Sequence, residues 1–157
     1  MANERKVRRQ LSKQLVAREP WARWNAFVDL LATEDFDALE PVQRVAYLVF
    51  WYDSEVQNGG HLQYFENEAG RRADEAILAL QSMGGACQAD ILAAALLIWS
   101  RVDRTPPETV EEYIENALNG EFDDFDARYA ECDPSVLMLL EGYLDRHETD
   151  FLEFEAG

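Results

Sequence analysis

Cysteine is nearly absent from this 157-residue chain: Cys87 and Cys132 are the only two. That is too few for a disulfide framework or a four-cysteine zinc site. One bridge stays open as an alternative, but the expectation is a pair of reduced, small core residues. Histidine is as scarce. His61 and His147 lie 86 positions apart, and neither stands in a His-Glu-x-x-His arrangement that would put two ligands on one zinc. Long apolar runs are missing too. The longest, near Ile91 to Trp99, is far short of a membrane span. The first twenty residues hold no apolar stretch followed by a small-residue cleavage site, so no secretory signal is read and a cytoplasmic, membrane-free protein is expected. Bases are few: 14 Lys+Arg face 31 Asp+Glu, a formal charge of −17, which argues against direct binding to nucleic acid.

What is present is apolar enough for one packed core, at 48% hydrophobic residues, and the length suits one domain. Charge is unevenly spread. Residues 1–23 carry a net +5 and the remainder −22; within the latter, residues 108–157 hold sixteen acids against Arg128 and Arg146. The reading is a basic N-terminal helical arm, 1–23, followed by an acidic body, 24–157.

Periodicity is helical almost throughout. Val42, Val45, Val49, Tyr52 and Val56 step by three and four behind Pro41, which suits a first helical position. Ala73, Ala76, Ile77, Leu80 and Met83 repeat the pattern up to Gly84-Gly85, a natural stop. Residues 88–100 are apolar nearly all round, which predicts a helix buried on most sides. Thr105 or Thr109 is placed to cap a helix over 108–119, ended by Asn119-Gly120. Phe122, Phe125 and Tyr129 mark a short acidic-aromatic helix. Asp133 as N-cap and Pro134 at the first position predict a long last helix with the seam Leu137, Leu140, Leu144, His147, Phe151 and Phe154. In the arm, Val7, Leu11, Leu15 and Val16 predict an amphipathic basic helix, and Trp21, Trp24, Phe27, Val28 and Leu31 another. Strand signatures are lacking. The fold class expected is all-α, a single-domain bundle of about seven to eight helices with strand content near zero.

The most distinctive stretch is Asn58-Gly59-Gly60-His61-Leu62-Gln63-Tyr64-Phe65-Glu66-Asn67. Asn-Gly-Gly supplies left-handed backbone between two helical segments, so a helix–kink–helix is expected. Asn58, His61, Gln63 and Asn67 are close enough either to serve the local structure, with Gly59, Gly60 and Tyr64, or to line a small pocket. At these residues the chain resembles a family of small bacterial helical proteins named after a DNA-mimic protein. The resemblance rests on Asn58-Gly59-Gly60 with Gln63, Tyr64-Phe65, Asn67 and Gly70, then Glu75-Ala76 and the 80–86 stretch. It continues through the 122–129 segment and the last helix, covering about residues 40–154. His61 stands where an apolar aromatic is more usual in the family. The resemblance implies an all-α fold and a dimeric acidic decoy for a DNA-binding transcription regulator; fold alone does not fix function.

A decoy needs carboxylates held at fixed spacing. Glu141, Asp145 and Glu148 step by four and three along the expected last helix, and Glu112, Glu115, Asp123, Asp124 and Asp126 form a second cluster. These eight are the expected partner-binding residues, and a basic DNA-binding protein the expected partner. The plain alternative is a solvated face that keeps the protein in solution. Catalysis is not the expected role; the alternatives are a small-ligand or enzymatic role at the Asn58 to Asn67 kink and a plain protein-interaction module. No phosphate-cradling loop occurs, nothing local activates either cysteine, and Asp123-Asp124-Asp126 lacks the glycine and distal glutamate of a calcium loop. No metal or cofactor is assigned. A second copy of the chain is a further candidate partner: the 137–154 seam, with Trp21 and Trp24, packs either inside one subunit or between two.

Overall fold

The structure is a computed structural model, describing residues 6–101, 108–118 and 120–155, with side chains described outside 116–118. Its elements run β1 (Arg9–Leu11), α1 (Lys13–Arg18), α2 (Ala22–Thr33), a 3-10 turn (Phe36–Ala38), α3 (Pro41–Glu66), a second 3-10 turn (Glu68–Arg72), α4 (Ala73–Ser82), α5 (Ala86–Ser100), α6 (Val110–Leu118), α7 (Asp123–Glu131), α8 (Val136–Arg146), α9 (Glu148–Phe151) and β2 (Leu152–Phe154). The protein is all-α, with nine helices among the described residues and one very small sheet.

Helix α3 is the axis of the fold. Pro41 opens it, and Glu40 and Gln43 close a reciprocal cap in which the Gln43 side chain accepts from the Glu40 backbone N–H at 2.9 Å. Val49, Tyr52, Val56, Tyr64 and Phe65 are buried along it. Phe27, Leu30 and Leu31 of α2, Ala73, Ala76 and Leu80 of α4, Phe125 and Tyr129 of α7, and Leu140, Tyr143 and Leu144 of α8 are buried with them in one core. Fully burying each such large apolar side chain contributes about 1.5–3 kcal/mol. Helices α4 and α5 form a hairpin that turns at Gly84, whose φ of 87° suits glycine. The Gly85 N–H returns to the Leu80 carbonyl at 2.8 Å.

The two chain ends depart from the helical expectation. The arm is not one amphipathic helix: residues 9–11 are a strand paired in parallel with 152–154, Arg9 opposite Leu152 and Leu11 opposite Phe154. The cause is Gln43, fully buried, whose amide donates to the carbonyls of Val7 (2.7 Å) and Asp150 (2.9 Å). One side chain at the head of α3 thereby holds both termini. Residue 23 lies in the first turns of α2, so arm and body share a helix.

The last helix is likewise shorter than its seam predicts. α8 begins behind Ser135, whose hydroxyl accepts from the Met138 N–H, rather than behind Asp133; the Asp133–Pro134 bond is cis. It ends at Arg146, and after His147 the chain forms the single turn of α9 before entering β2. Leu140, Leu144 and Phe151 of the seam are buried, but Leu137 is exposed and His147 is half-buried against Tyr143. Helix α5 buries Gln88, Ala89, Ile91, Leu92 and Ala95 but leaves Leu97 61% exposed, because nothing described packs on that side. Trp24 packs on Phe27 while Trp21 lies exposed. Thr109 caps α6, its hydroxyl accepting from Glu112 N–H at 3.1 Å; Thr105 and Asn119 lie outside the described residues.

The cysteines correct the expectation of reduced thiols. Cys87 and Cys132 are joined, their Cα atoms 5.9 Å apart. The packing of the α5 N-terminus against the C-terminal end of α7 brings the two positions within bridging range.

Candidate functional site

The Asn-Gly-Gly motif breaks α3 where the sequence predicts. Gly60 has φ 73°, in the left-handed region, and the helix resumes at His61. A break inside a helix creates a new N-terminus with unsatisfied N–H groups. Asp126 of α7 answers this one. Its Oδ1 accepts the His61 backbone N–H at 2.9 Å and the imidazole Nδ1–H at 2.7 Å, and the carboxylate also suits the positive end of the resumed helix. With the proton on Nδ1, Nε2 accepts from the Tyr52 hydroxyl at 2.7 Å. A side chain on Gly60 would come within 2.4 Å of Asp126 Oδ2, so both φ and close approach require glycine.

His61 is fully buried amid Tyr52, Phe65, Phe125 and Tyr129, where it takes up space that an apolar ring could fill and satisfies its polar atoms internally. The Tyr129 hydroxyl donates to Asp53, and Tyr52 packs edge-on against Tyr64 and Tyr129 at 5.0 and 5.5 Å between centroids. Burial, then the neighbouring Asp53 charge, holds the Tyr129 phenol far above its ordinary range; burial likewise raises Tyr52 and Tyr64.

The rest of the motif turns the other way. Gln63 and Asn67 each donate at 2.7 Å to Glu55 one face over, tying the end of α3 to its middle. Asn58 is exposed. The cavity beside the kink, lined by Gly59, Leu62, Asp123 and Asp126 among others, measures about 50 Å³, room for a water or two and not for an organic ligand. Among the described residues no group of three or more acids, histidines or cysteines is placed to hold a metal ion, and no helix is long and apolar enough to cross a membrane.

The eight acids named from sequence do not share one environment. Glu112 and Glu115 are exposed on α6, Asp123 and Asp124 on α7, and Glu141 on α8. Asp124 pairs with Arg128 one turn on. Asp126 is committed to His61. The row Glu141, Asp145, Glu148 is not on one helix, since α8 ends at Arg146 and Glu148 begins α9. Two of its members share one base: Arg23 reaches Asp145 at 3.1 Å and Glu148 at 2.5 Å, which offsets one of their two charges.

Arg23 belongs to a wider pattern that composition alone did not reveal. Arg9 bridges Asp29 (2.8 Å) and Glu34 (2.9 Å), and Arg8 and Lys6 both meet Glu40, at 3.2 and 3.8 Å. The basic arm folds back onto acids of the body. The segment 108–131, by contrast, holds nine carboxylates and one base, Arg128. Of the nine, Glu108, Glu111, Glu112, Glu115, Glu121, Asp123, Asp124 and Glu131 are exposed.

No curated protein and no solved structure matches the chain. A family model described as DMP19-like protein matches residues 37–147, a span from the first 3-10 turn to the end of α8 that contains the Asn-Gly-Gly kink, its Asp126 cap and the acidic α6–α7 segment. On that match over most of its length, the chain belongs to the DMP19-like protein family.

Proposed function

We propose that this protein acts by binding rather than by catalysis, as an acidic decoy that occupies the DNA-binding surface of a basic DNA-binding protein such as a transcription regulator. The observation that carries this reading is the exposed carboxylate set on α6 and α7, with Arg128 as its one base. Glu111 and Glu115 stand one helical turn apart, a rise of about 6 Å, on a scaffold that fixes their spacing. Like charges concentrated this way repel one another and lower stability, so a partner of opposite charge would relieve a strain the free protein carries. Membership of a family associated with DNA mimicry supports the same reading. Within the eight acids named from sequence, Glu112, Glu115 and Asp123 are the contact residues of choice, with Asp124 beside them but paired with Arg128. Glu141 is secondary, Asp145 and Glu148 are partly neutralised by Arg23, and Asp126 serves the kink.

The reading extends to self-association. Leu137 and Met138, 51% and 55% exposed on the first turn of α8, and Trp21, 58% exposed, are the candidate contacts for a second copy. Sedimentation of the wild type against Leu137→Glu is expected to show a dimer reduced to monomer.

The test of the decoy is capture from the host lysate at low and at high salt, followed by competition with duplex DNA for the captured protein. The expected result is a DNA-binding protein retained at low salt, released at high salt, and displaced from DNA by this chain. Capture of proteins that bind no DNA, or binding indifferent to salt and to DNA, would overturn the proposal.

A further inference from the structure

A cavity of about 750 Å³, in the size range of small-molecule sites, opens beside α3, between the two 3-10 turns. Its floor is the stripe Tyr47, Trp51 and Glu55, one helical turn apart along α3; Asp35, Phe36 and Asp37 form one wall, and Asn67, Glu68 and Arg72 the other. The lining carries four carboxylates against one guanidinium.

On this wall the Phe36 ring is taken up by the protein's own guanidiniums, which leaves Tyr47 and Trp51 as the aromatic groups of the floor. The guanidinium of Arg72 lies 3.8 Å from the centroid of the Phe36 ring, and that of Arg44 lies 4.8 Å from the same ring while donating to the Phe36 and Asp37 carbonyls. Aromatic faces attract such groups through the ring quadrupole. Tyr47 packs edge-on against Phe36 at 5.4 Å, and Trp51 stands 6.1 Å from Tyr47 with its indole N–H fixed on the Leu31 carbonyl at 3.0 Å. Tyr47, Arg72, Glu68 and Asp35 line the same cavity; burial raises the Tyr47 phenol above its usual value, with Arg72 opposing the rise and Glu68 and Asp35 adding to it. The family motif closes the site from below, since Asn67 and Gln63 both hold Glu55 in place.

We propose that this cavity binds a small aliphatic dication, an alkyl diamine or an aminoalkylguanidine, with its charged ends on Asp35 and Glu68 and its methylenes along Tyr47 and Trp51. Aromatic walls and carboxylates at the rim match a ligand that is apolar in the middle and positive at both ends. This site is separate from the α6–α7 surface, and it stands whether or not that surface binds a partner.

The test is calorimetric titration of the full chain with agmatine at moderate salt, with 1,6-hexanediol as the uncharged counterpart. The variants are Asp35→Asn with Glu68→Gln, and, as a control removing equal charge elsewhere, Glu111→Gln with Glu115→Gln. Agmatine is expected to bind one to one and saturably. Affinity should fall at least about tenfold in the cavity variant, stay within about twofold in the control, and be undetectable for the diol. Glu68→Lys, which places an ammonium in the cavity, is expected to abolish binding while circular dichroism stays helical. No saturable binding, an equal loss in both double variants, or equal binding of the diol would each overturn the proposal.

Discussion

The two ends of α3 are held by different physics. Around its head, the buried Gln43 amide and the β1–β2 pairing are joined by a set of charge contacts from the arm: Lys6 and Arg8 on Glu40, Arg9 on Asp29 and Glu34, Arg23 on Asp145 and Glu148, three of these six pairs with a partner well open to solvent. Around its tail, α7 is bound through groups that salt does not reach: the Cys87–Cys132 bridge, the buried His61 with Asp126 and Tyr52, and the packed rings of Phe65, Phe122, Phe125 and Tyr129. Exposed ion pairs are each worth about 1 kcal/mol or less and are screened by salt. A chain with surplus acid thus spends its bases where the termini need fastening, and anchors the acid-rich helix α7 by other means.

Strong alkali should break this contrast most completely, and from the head end first. Phenols held above their ordinary value favour the folded state fully below about pH 10, where an unfolded tyrosine ionises, and that contribution is lost as pH rises through the folded value. Tyr143, which donates to the Val42 carbonyl at 2.6 Å, is pushed up to about 12, chiefly by burial and then by Asp150. Tyr52 and Tyr129, at the other end, are held higher by deeper burial. A titration followed by tyrosinate absorbance and helical circular dichroism should show ionisation and unfolding together above pH 10. Tyrosines that all ionise at their free value with the helices intact would contradict this.

The next effect is reduction of the bridge. It closes a loop with a sequence separation of 45, so the Cys87→Ala, Cys132→Ala variant is expected to lose about 2–4 kcal/mol in chemical denaturation, with little dependence on salt. Close behind is Asp126→Ala, which strands the His61 N–H and imidazole and should cost about 2–3 kcal/mol, whereas Asp123→Ala, three residues away and exposed, should change stability by less than about 0.5 kcal/mol. The smallest loss expected on breaking a fastening belongs to the head. Arg23→Gln should cost about 0.5–1 kcal/mol at low ionic strength and nothing measurable at high salt, because Asp145 is largely exposed. Melting curves of the last two variants across salt concentrations separate the two kinds of fastening directly.

Much of this was legible in the sequence, for reasons that can be stated. The Val42–Val56 stripe, Pro41 and the Asn-Gly-Gly break gave α3 and its kink, because helical period, proline at the first position and a left-handed glycine are local signals. The acidic excess of residues 108–157 was plain from counting. What stayed hidden was long-range. Nothing near Gln43 announces that its amide will hold Val7 and Asp150, 36 and 107 positions away. A strand of three residues has too little pattern to be seen, so β1 and β2 read as ends of helices. Asp126 looked like one acid of a cluster, and only the geometry separates it from Asp123 and Asp124. The clue available was His61 itself: a histidine in an aromatic helical face needs a buried polar partner, and carboxylates are the commonest candidates. Arg23 carried no such clue, since its acids lie more than a hundred residues on.

The central claim is that the fold neutralises one acidic region and leaves the α6–α7 region for a partner. The most direct measurement compares two variants, one lacking four carboxylates of the α6–α7 region and one lacking three of the C-terminal row, in displacing the captured protein from its DNA. One is Glu112→Gln, Glu115→Gln, Asp123→Asn and Asp124→Asn together; the other is Glu141→Gln, Asp145→Asn and Glu148→Gln. Displacement should be lost in the first and retained in the second, with helical circular dichroism unchanged in both. Loss in the second with the first intact, or equal weakening in both, would contradict the assignment of the partner surface to α6 and α7.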